Sequence, residues 1–145
     1  MYWRTLEFGG ARMNTVAKDI MTTELIYGTP DMTLEDAIKV LFNRKITGVP
    51  VVDQNGKMIG VLSEFDIIQS IDDSSKGKPL NLKQKIRFRA KVTTVDEDTP
   101  LDEILRLFVE KQVRRLPVLN GKRQLVGIIS RRDIMRVLFY RSKTF

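Results

Sequence analysis

The chain has 145 residues, enough for one domain or for two very small ones that share a core, and 42% of them are hydrophobic, as in a soluble globular protein. It contains no cysteine and no histidine, which excludes disulfides, cysteine-ligated metals, serine–histidine triads and the usual general base near neutral pH, and so favours a binding or regulatory protein over an enzyme. The net charge of +7 is concentrated in the second half: residues 1–72 carry 7 basic and 10 acidic side chains, whereas residues 73–145 carry 18 and 8, so that this half either has a solvated basic surface or attracts phosphate.

No apolar run approaches the roughly 20 residues of a membrane span, and the first residues lack the apolar stretch of a signal peptide. We therefore expect a cytoplasmic protein that does not cross a membrane. Residues 1–14 fit no pattern further along the chain and are predicted to form an N-terminal extension.

One pattern recurs after 67 residues. Gly60–Ile67 (GVLSEFDI) returns as Gly127–Ile134 (GIISRRDI), and the same offset carries Pro50 onto Pro117 without a gap. The chain is therefore predicted to contain two copies of one structural unit. Repeat 1 covers residues 15–72 and repeat 2 covers residues 83–145, and a polar linker over 73–82 joins them.

Each repeat is predicted to contain, in chain order, an extended lead-in, a helix, two strands and a second helix. The first helix has apolar residues at helical spacing, with Thr33 or Thr99 as its N-cap and, in repeat 2, Pro100 at its first position. A turn containing Asn–Gly separates the two strands. The predicted strands and second helices are Val49–Val52, Met58 to Ser63 and Glu64–Ile71 in repeat 1, and Leu116–Leu119, Leu125 to Ser130 and Arg131 to about Tyr140 in repeat 2.

The lead-in of repeat 2 alternates basic and apolar residues from Lys85 to Val92, which is the period of a half-exposed strand. Its counterpart in repeat 1 is Thr23–Tyr27. The sequence therefore predicts a mixed α/β (α+β) fold of tandem strand–helix–strand–strand–helix units.

A Ser–x–x–Asp motif stands between the second strand and the second helix of each repeat, as Ser63 with Asp66 and as Ser130 with Asp133. Serine at the N-cap with an acidic residue three positions later forms a capping box, which helix starts use for structural reasons alone. The same geometry suits a nucleotide, because a helix N-terminus and a hydroxyl bind phosphate while a carboxylate accepts hydrogen bonds from ribose hydroxyls. Both interpretations stay open, and the repetition favours the second.

Two further features lie near these junctions. Gly48–Val49–Pro50 and Arg115–Leu116–Pro117 begin the first strands, where a proline fixes the backbone and small or apolar neighbours can face a flat ring. Repeat 2 also carries four arginines whose guanidinium groups can hold phosphate bidentately, Arg114, Arg115, Arg131 and Arg132.

This ordered set of motifs, found in both copies, resembles the CBS (cystathionine beta-synthase) domain pair, also called a Bateman module. Asp19-Ile20-Met21-Thr22 before repeat 1 and Arg114-Arg115-Leu116-Pro117 in repeat 2 add to the resemblance, which covers about residues 15–140. It implies two repeats packed with pseudo-twofold symmetry and two clefts between them that bind adenosine nucleotides or S-adenosylmethionine. It also implies a sensor without catalytic residues, catalytic cofactor or metal, and a homodimer.

By that resemblance, the carboxylates of Asp66 and Asp133 hold ribose, and the hydroxyls of Ser63 and Ser130 hold phosphate. The arginines favour the second cleft, and a phosphorylated ligand (AMP, ADP or ATP) over S-adenosylmethionine. The implied ligand-contacting residues are Ile26, Gly48, Val49, Pro50, Ser63 and Asp66 in the first cleft, and Val92, Thr94, Arg114, Arg115, Leu116, Pro117, Ser130, Arg131, Arg132 and Asp133 in the second.

The resulting hypothesis is a regulatory module that binds an adenine nucleotide, pairs as a homodimer and signals to an effector protein in trans. One alternative is a nucleic-acid-binding protein that uses the basic second half on the same scaffold, although no helix-turn-helix or RNA-binding signature supports it. The other is a structural dimerisation module whose clefts bind no ligand.

Overall fold

The computed structural model describes residues 7–8, 11–12, 14–77 and 79–142. Helices and strands are mixed along these residues, which confirms the predicted α/β class. Of the predicted N-terminal extension, residues 1–6, 9–10 and 13 lie outside the described residues. The elements are β1 (Glu7–Phe8), β2 (Ala11–Arg12), α1 (Ala17–Ile20), α2 (Leu34–Arg44), β3 (Gly48–Val52), β4 (Met58–Ser63), α3 (Glu64–Ser75), β5 (Val95–Asp96), α4 (Leu101–Lys111), β6 (Arg115–Leu119), β7 (Leu125–Ser130) and α5 (Arg131–Ser142).

The described chain forms two compact units. The first unit is the continuous segment Ile26–Val92, and the second unit consists of the described residues up to Leu25 and those from Thr93 onward. Each unit therefore combines the helices and hairpin of one repeat with the segment that leads into the other repeat, residues 14–25 in the second unit and 83–92 in the first, and these two segments are called the lead-ins from here on.

In the first unit, β3 and β4 form an antiparallel hairpin in which Gly48 lies opposite Ser63. As predicted, Thr33 caps α2: its hydroxyl accepts a hydrogen bond from the N–H of Asp36, whose carboxylate accepts one from the N–H of Thr33, both at 3.2 Å. The buried core draws apolar residues from α2, α3, the hairpin and the lead-in: Leu34, Ala37, Leu41, Val49, Val51, Leu62, Ile67 and Ile86.

In the second unit, β6 and β7 form the equivalent hairpin, in which Arg115 lies opposite Ser130, and β5 runs parallel to β6 at its edge. The buried core draws on helices α1, α4 and α5 and on strands β5, β6 and β7: Ala17, Ile20, Val95, Leu101, Ile104, Phe108, Leu116, Val118, Ile129 and Ile134.

A lead-in crosses each hairpin at a glycine. Met21 lies over Gly127 in the second unit, and Phe88 lies over Gly60 in the first. The residue that follows each of them makes a pair of backbone hydrogen bonds to the hairpin, Thr22 to Ile128 and Arg89 to Val61. A side chain at either glycine would occupy the space of the crossing residue, which would have to move to make room for it. All of these pairs are related by the offset of 67, so both units use the same crossing.

Two local predictions are wrong. Neither predicted lead-in strand forms: Thr23–Tyr27 has no strand, and within residues 85–92 only Lys85 and Arg89 form isolated bridges, because this segment crosses the hairpin rather than running along it. Thr99 is not the N-cap of α4: Pro100 takes that position, and the Thr99 hydroxyl accepts a hydrogen bond from the N–H of Asp96 at 2.9 Å. The offset of 67 aligns Thr33 with Pro100, so the second helix loses the side-chain cap that the first one has.

Other predicted boundaries differ by a few residues. β3 and β6 each begin one residue early, and α3 continues to Ser75, into the predicted linker. None of the helices within the described residues has the length and apolar character needed to cross a membrane.

Candidate functional site

The first Ser–Asp junction is a complete capping box. Ser63 ends β4 and is the N-cap of α3. Oδ2 of Asp66 accepts hydrogen bonds from the N–H (2.8 Å) and the hydroxyl (2.9 Å) of Ser63, and the Ser63 hydroxyl accepts one from the N–H of Asp66 at 3.4 Å. The carboxylate is thereby fixed at the helix start, where Asp66 is only 8% exposed.

The second junction repeats the same three bonds. Oδ2 of Asp133 accepts from the N–H (2.7 Å) and the hydroxyl (3.0 Å) of Ser130, and the Ser130 hydroxyl accepts from the N–H of Asp133 at 3.2 Å. Asp133 is 4% exposed. The structural interpretation of Ser–x–x–Asp therefore holds in both units, and it leaves Oδ1 of each carboxylate for other partners.

The partners of Oδ1 differ between the junctions. Oδ1 of Asp133 accepts a hydrogen bond from the Thr22 hydroxyl at 3.1 Å and lies 2.8 Å from Nη2 of Arg136. Oδ1 of Asp66 lies 3.4 Å from Nε of Arg89. Because Thr22 and Arg89 are related by the offset of 67, equivalent lead-in positions supply a hydroxyl to one carboxylate and a cation to the other.

Arg89 has two further contacts at the first junction. Its Nη2 donates a hydrogen bond to the Ser63 hydroxyl at 3.2 Å, and its guanidinium lies 5.9 Å from the centre of the Phe65 ring. The guanidinium thus spans the hydroxyl and the carboxylate that the sequence assigns to phosphate and ribose. An incoming ligand at this junction has to compete with a cation of the chain itself.

Sequence reasoning missed Thr22, Arg89 and Arg136 as parts of these junctions. The offset of 67 relates the first two, and the spacing of three residues places Arg136 beside Asp133 on one face of α5. These signals become interpretable only once it is known that each unit contains the lead-in of the other repeat, which we call the exchange of lead-ins, since Thr22 is 111 residues from Asp133.

The residues that begin β3 and β6 are close to the junctions in the hairpin registers, but their side chains are largely internal. Val49 and Leu116 belong to the two cores and are almost fully buried, and Pro50 and Pro117 are buried as well. These four side chains present little surface to a ligand ring in this structure. Gly48 is partly buried, and a Cβ on it would press against the carbonyl oxygen of Leu62.

The four arginines predicted to hold phosphate in the second cleft differ in their contacts. Arg131 donates hydrogen bonds from Nε to the carbonyl of Val113 (3.1 Å) and from Nη2 to that of Gln112 (3.4 Å), and so closes the C-terminus of α4. All four are exposed, and the other three are Arg114, Arg115 and Arg132. Arg115 is the best placed of these in the hairpin register, because it lies opposite Ser130.

The remaining predicted residues are Ile26, Val92 and Thr94, which are all partly buried. Ile26 packs against the core of the first unit. Val92 ends the first unit, whereas Thr94 lies in the second, just before β5.

A cavity of about 500 Å³ lies elsewhere in the second unit. It is lined by the loop that follows β5, the start of α4 and the end of β6: Asp96, Glu97, Asp98, Thr99, Pro100, Glu103, Leu119, Asn120 and Gly121. None of the predicted ligand-contacting residues lines it, so this cavity is separate from the Ser130–Asp133 junction.

Comparison with known proteins identifies both repeats. The sequence pattern of the family described as CBS domain matches residues 17–73 and 86–140. Inosine-5'-monophosphate dehydrogenase of Methanocaldococcus jannaschii is 32% identical over 120 residues, which make up 83% of this chain and 23% of that protein. The chain spans between 23% and 40% of the length of the first curated relatives that it matches.

Two solved structures with bound ligands share the fold. The crystal structure of CBSX2, a protein of Arabidopsis thaliana, in complex with AMP has a TM-score of 0.71 and 28% identity, covering 86% of this chain and 96% of that one. The CBS domain pair of protein MJ0100, in complex with 5'-methylthioadenosine and S-adenosyl-L-methionine, has a TM-score of 0.68 and 26% identity, covering 86% and 99%. All three bound compounds contain adenosine.

Proposed function

Because the chain belongs to the CBS domain family, whose pattern matches both of its repeats, we propose that it is a regulatory module that binds an adenine nucleotide at the Ser130–Asp133 junction. The nucleotide is AMP, ADP or ATP. The module acts in the cytoplasm as a homodimer, signals to an effector protein in trans and performs no catalysis itself.

One observation carries the choice of junction: a hydroxyl group already donates a hydrogen bond to Oδ1 of Asp133. When the nucleotide binds, a ribose hydroxyl takes the place of the Thr22 hydroxyl as donor to Oδ1, so one neutral donor is exchanged for another. Arg136 keeps the buried carboxylate paired. Ligand binding at this point therefore costs little in lost contacts.

By the same reasoning, the Ser63–Asp66 junction should bind a nucleotide less well. Displacing Arg89 from Asp66 removes a charged partner from a buried carboxylate, and charge-assisted contacts are stronger than neutral ones. Nucleotide binding at Ser63–Asp66 should therefore be weaker than at Ser130–Asp133.

The charges near the second junction support a phosphorylated ligand. Arg115 lies opposite Ser130 in the hairpin, and both it and Arg114 are exposed. A guanidinium group binds phosphate through two parallel hydrogen bonds. The adenosine part of the proposal is supported by the solved relatives, one of which is described with AMP and the other with 5'-methylthioadenosine and S-adenosyl-L-methionine.

The nucleic-acid alternative gains no support from the site. Arg131 and Arg136 donate hydrogen bonds within the fold, to the end of α4 and to Asp133, so two of the cations on which that alternative depends have structural roles. An RNA or DNA titration at physiological salt belongs in the test nonetheless, since a basic surface binds nucleic acid at low salt without specificity.

The experiment is calorimetric titration of the full chain with AMP, ADP, ATP, S-adenosylmethionine and GTP at physiological salt, after a thermal-shift screen. Ligand at about 100 times its Kd should stabilise the fold by about 2.7 kcal/mol, a shift of several degrees in Tm. We expect an adenine-specific signal. Asp133→Asn should weaken binding at least tenfold, because the amide has only one accepting oxygen where the carboxylate has two.

The matched control is Asp36→Asn. Asp36 is the acidic member of the capping box of α2, so this substitution makes the same chemical change at a helix start outside the candidate site. Binding should be unchanged in this variant. Equal losses in both variants, or no binding by any adenine compound, would overturn the proposal.

A further inference from the structure

Each of the two buried aspartates forms one ion pair among the described residues, and the two cations come from different elements. Nη2 of Arg136 lies 2.8 Å from Oδ1 of Asp133, which stands three residues earlier on α5. Nε of Arg89 lies 3.4 Å from Oδ1 of Asp66, and Arg89 belongs to the lead-in that crosses the hairpin at Gly60. The positive charge therefore comes from the helix in one unit and from the lead-in in the other.

The offset of 67 relates these positions in a crossed way. Arg136 corresponds to Gln69 on α3, and Arg89 corresponds to Thr22 in the other lead-in. Each junction therefore has one cation and one neutral side chain at the two positions, in opposite order. Because a buried carboxylate is costly without a charged partner, stability accounts for one cation at each junction, but it does not account for the element that supplies it.

The helix cation of the second junction leaves the carboxylate fixed at both oxygens. Oδ2 of Asp133 accepts hydrogen bonds from the N–H and the hydroxyl of Ser130, and Arg136 holds Oδ1. Nη2 of Arg136 also donates a hydrogen bond to the carbonyl of Ile20 at 3.4 Å, which ties the guanidinium to the end of α1. A carboxylate that is fixed before a ligand arrives loses less conformational entropy when the ligand binds.

We propose that Arg136 is the positioning residue of the nucleotide site. It holds Oδ1 of Asp133 in place and thereby lets a ribose hydroxyl replace the Thr22 hydroxyl, without itself contacting the nucleotide. A cation three residues after the aspartate on its own helix makes a junction able to bind, whereas a cation on the lead-in occupies the place of the ligand. The inference rests on the proposed function and names the residue that distinguishes its site from the first junction.

The first junction has the opposite arrangement. Arg89 pairs with Oδ1 of Asp66 and also donates a hydrogen bond to the Ser63 hydroxyl at 3.2 Å. A ligand that reaches this carboxylate has to displace its cation, and the helix position that could replace the charge holds the neutral Gln69. Moving the cation from the lead-in to α3 should therefore turn this junction into a nucleotide site.

Calorimetric titration of the full chain with AMP and with 2',3'-dideoxy-AMP tests the role of Arg136. The second compound keeps the base and the phosphate but lacks both ribose hydroxyls. Arg136→Gln should weaken AMP binding about tenfold, because the carboxylate is no longer fixed, and should leave the affinity for the dideoxy compound unchanged. Arg136→Lys should recover part of the loss, since an ammonium group still pairs with Asp133.

Arg106→Gln is the matched control. Arg106 is an exposed arginine on α4 of the same unit, and the substitution makes the same change of charge outside the junction. Affinity for both compounds should be unchanged in this variant. Equal losses for AMP and its dideoxy analogue in Arg136→Gln would overturn the inference, since they would indicate a direct contact with phosphate or a general effect on the fold.

Transfer of the cation gives the complementary test. Arg89→Thr and Gln69→Arg are combined in an Asp133→Asn background, so that the second junction is impaired and any gain in binding belongs to the first. This chain should bind AMP about tenfold more tightly than the same chain without Gln69→Arg. Circular dichroism and Tm show whether the fold is retained, and equal affinities of the two folded chains would contradict the inference.

Hydrogen exchange in the ligand-free chain separates this inference from the proposed function. The N–H of Ser130 donates to Oδ2 of Asp133 at 2.7 Å, and the N–H of Ser63 makes the equivalent bond in the first unit. Arg136→Gln should accelerate exchange at Ser130 several-fold and leave exchange at Ser63 unchanged, because only the second carboxylate is released. An unchanged chain that binds no AMP overturns the proposed function, whereas unaltered exchange at Ser130 overturns the positioning role.

Discussion

The two Ser–Asp junctions are built alike and partnered differently. In both, a serine N–H and hydroxyl bind Oδ2 of a buried aspartate, and a lead-in crosses the hairpin at a glycine. The next lead-in residue is threonine beside Asp133 and arginine beside Asp66. The repeated capping box therefore holds both carboxylates in place, while one side chain from the other repeat's lead-in determines which further hydrogen bonds each carboxylate can accept.

The glycines offer the largest expected difference between the two units. A Cβ at Gly60 meets the backbone carbonyl of Arg89 and the ring of Phe88, whereas a Cβ at Gly127 meets only the flexible side chain of Met21. Gly60→Ala should therefore lower the free energy of unfolding by about 1–3 kcal/mol, as overpacking does. Gly127→Ala should cost less than Gly60→Ala, because the atom nearest to the new Cβ is Sδ of Met21, which can rotate away more readily than a backbone carbonyl.

Urea denaturation of both variants measures this difference, with unchanged m-values as the check that the transition is the same one. Equal costs would show that the Arg89 backbone adjusts as readily as Met21, and the two crossings would then be equivalent in stability as well as in register.

Exchanging the side chains of Thr22 and Arg89 tests whether they determine which junction binds the nucleotide. Thr22→Arg places a cation where the proposed ribose hydroxyl donates to Asp133, and should weaken adenine-nucleotide binding about tenfold, or about 1.4 kcal/mol. Arg89→Thr gives Asp66 a hydroxyl partner and should strengthen binding at the first junction. Calorimetry reads both effects, as a change in Kd and a change in stoichiometry. No effect from Thr22→Arg would mean that nucleotide does not reach Oδ1 of Asp133.

The smallest expected effect concerns the ion pairs that tie the lead-ins to their units. Nζ of Lys83 lies 2.5 Å from Oε2 of Glu35 in the first unit, and Lys18 lies 3.5 Å from Asp98 in the second. The hydrogen bond and charge of Lys83 lower the pKa of Glu35, and the hydrogen bond and charge of Glu35 raise the pKa of Lys83. Both side chains face solvent, so the ion pair should change their pKa values more than it changes the free energy of unfolding.

The sign follows from the directions of these shifts. The contribution of Glu35 is present above its unfolded pKa and is lost as the pH falls through its lower folded pKa. The contribution of Lys83 is present below its unfolded pKa and is lost as the pH rises through its higher folded pKa. In an NMR titration, Lys83→Gln should raise the pKa of Glu35 towards its ordinary value. Lys18→Gln, the matched change in the second unit, should leave the Glu35 titration as it was.

The hairpins and junctions were predictable from the sequence because their signals are local and occur twice. Gly60–Ile67 and Gly127–Ile134 each contain the end of a strand, a capping serine and the first turn of a helix, and the structure has β4, α3, β7 and α5 at those places. The capping of α2 by Thr33 was predictable because its signal is local as well, although the second repeat does not share it.

The exchange of lead-ins was not predictable in this way. Thr22 and Arg89 have no local pattern that names a partner, and the bonds they form depend on contacts between distant parts of the chain. The burial of Leu116 and Val49 was equally hidden, since the start of a strand shows which residues are apolar but not which of them the core takes.

The exchange of lead-ins also bears on how the chain is made. The first unit is one continuous stretch, Ile26–Val92, so its contacts can form while the ribosome is still synthesising the remainder. The residues before it must wait: Met21 and Thr22 find Gly127, Ile128 and Asp133 only after more than a hundred further residues have been added. During synthesis, the residues just before the first unit are thus placed after it, and closing this long loop completes the second unit.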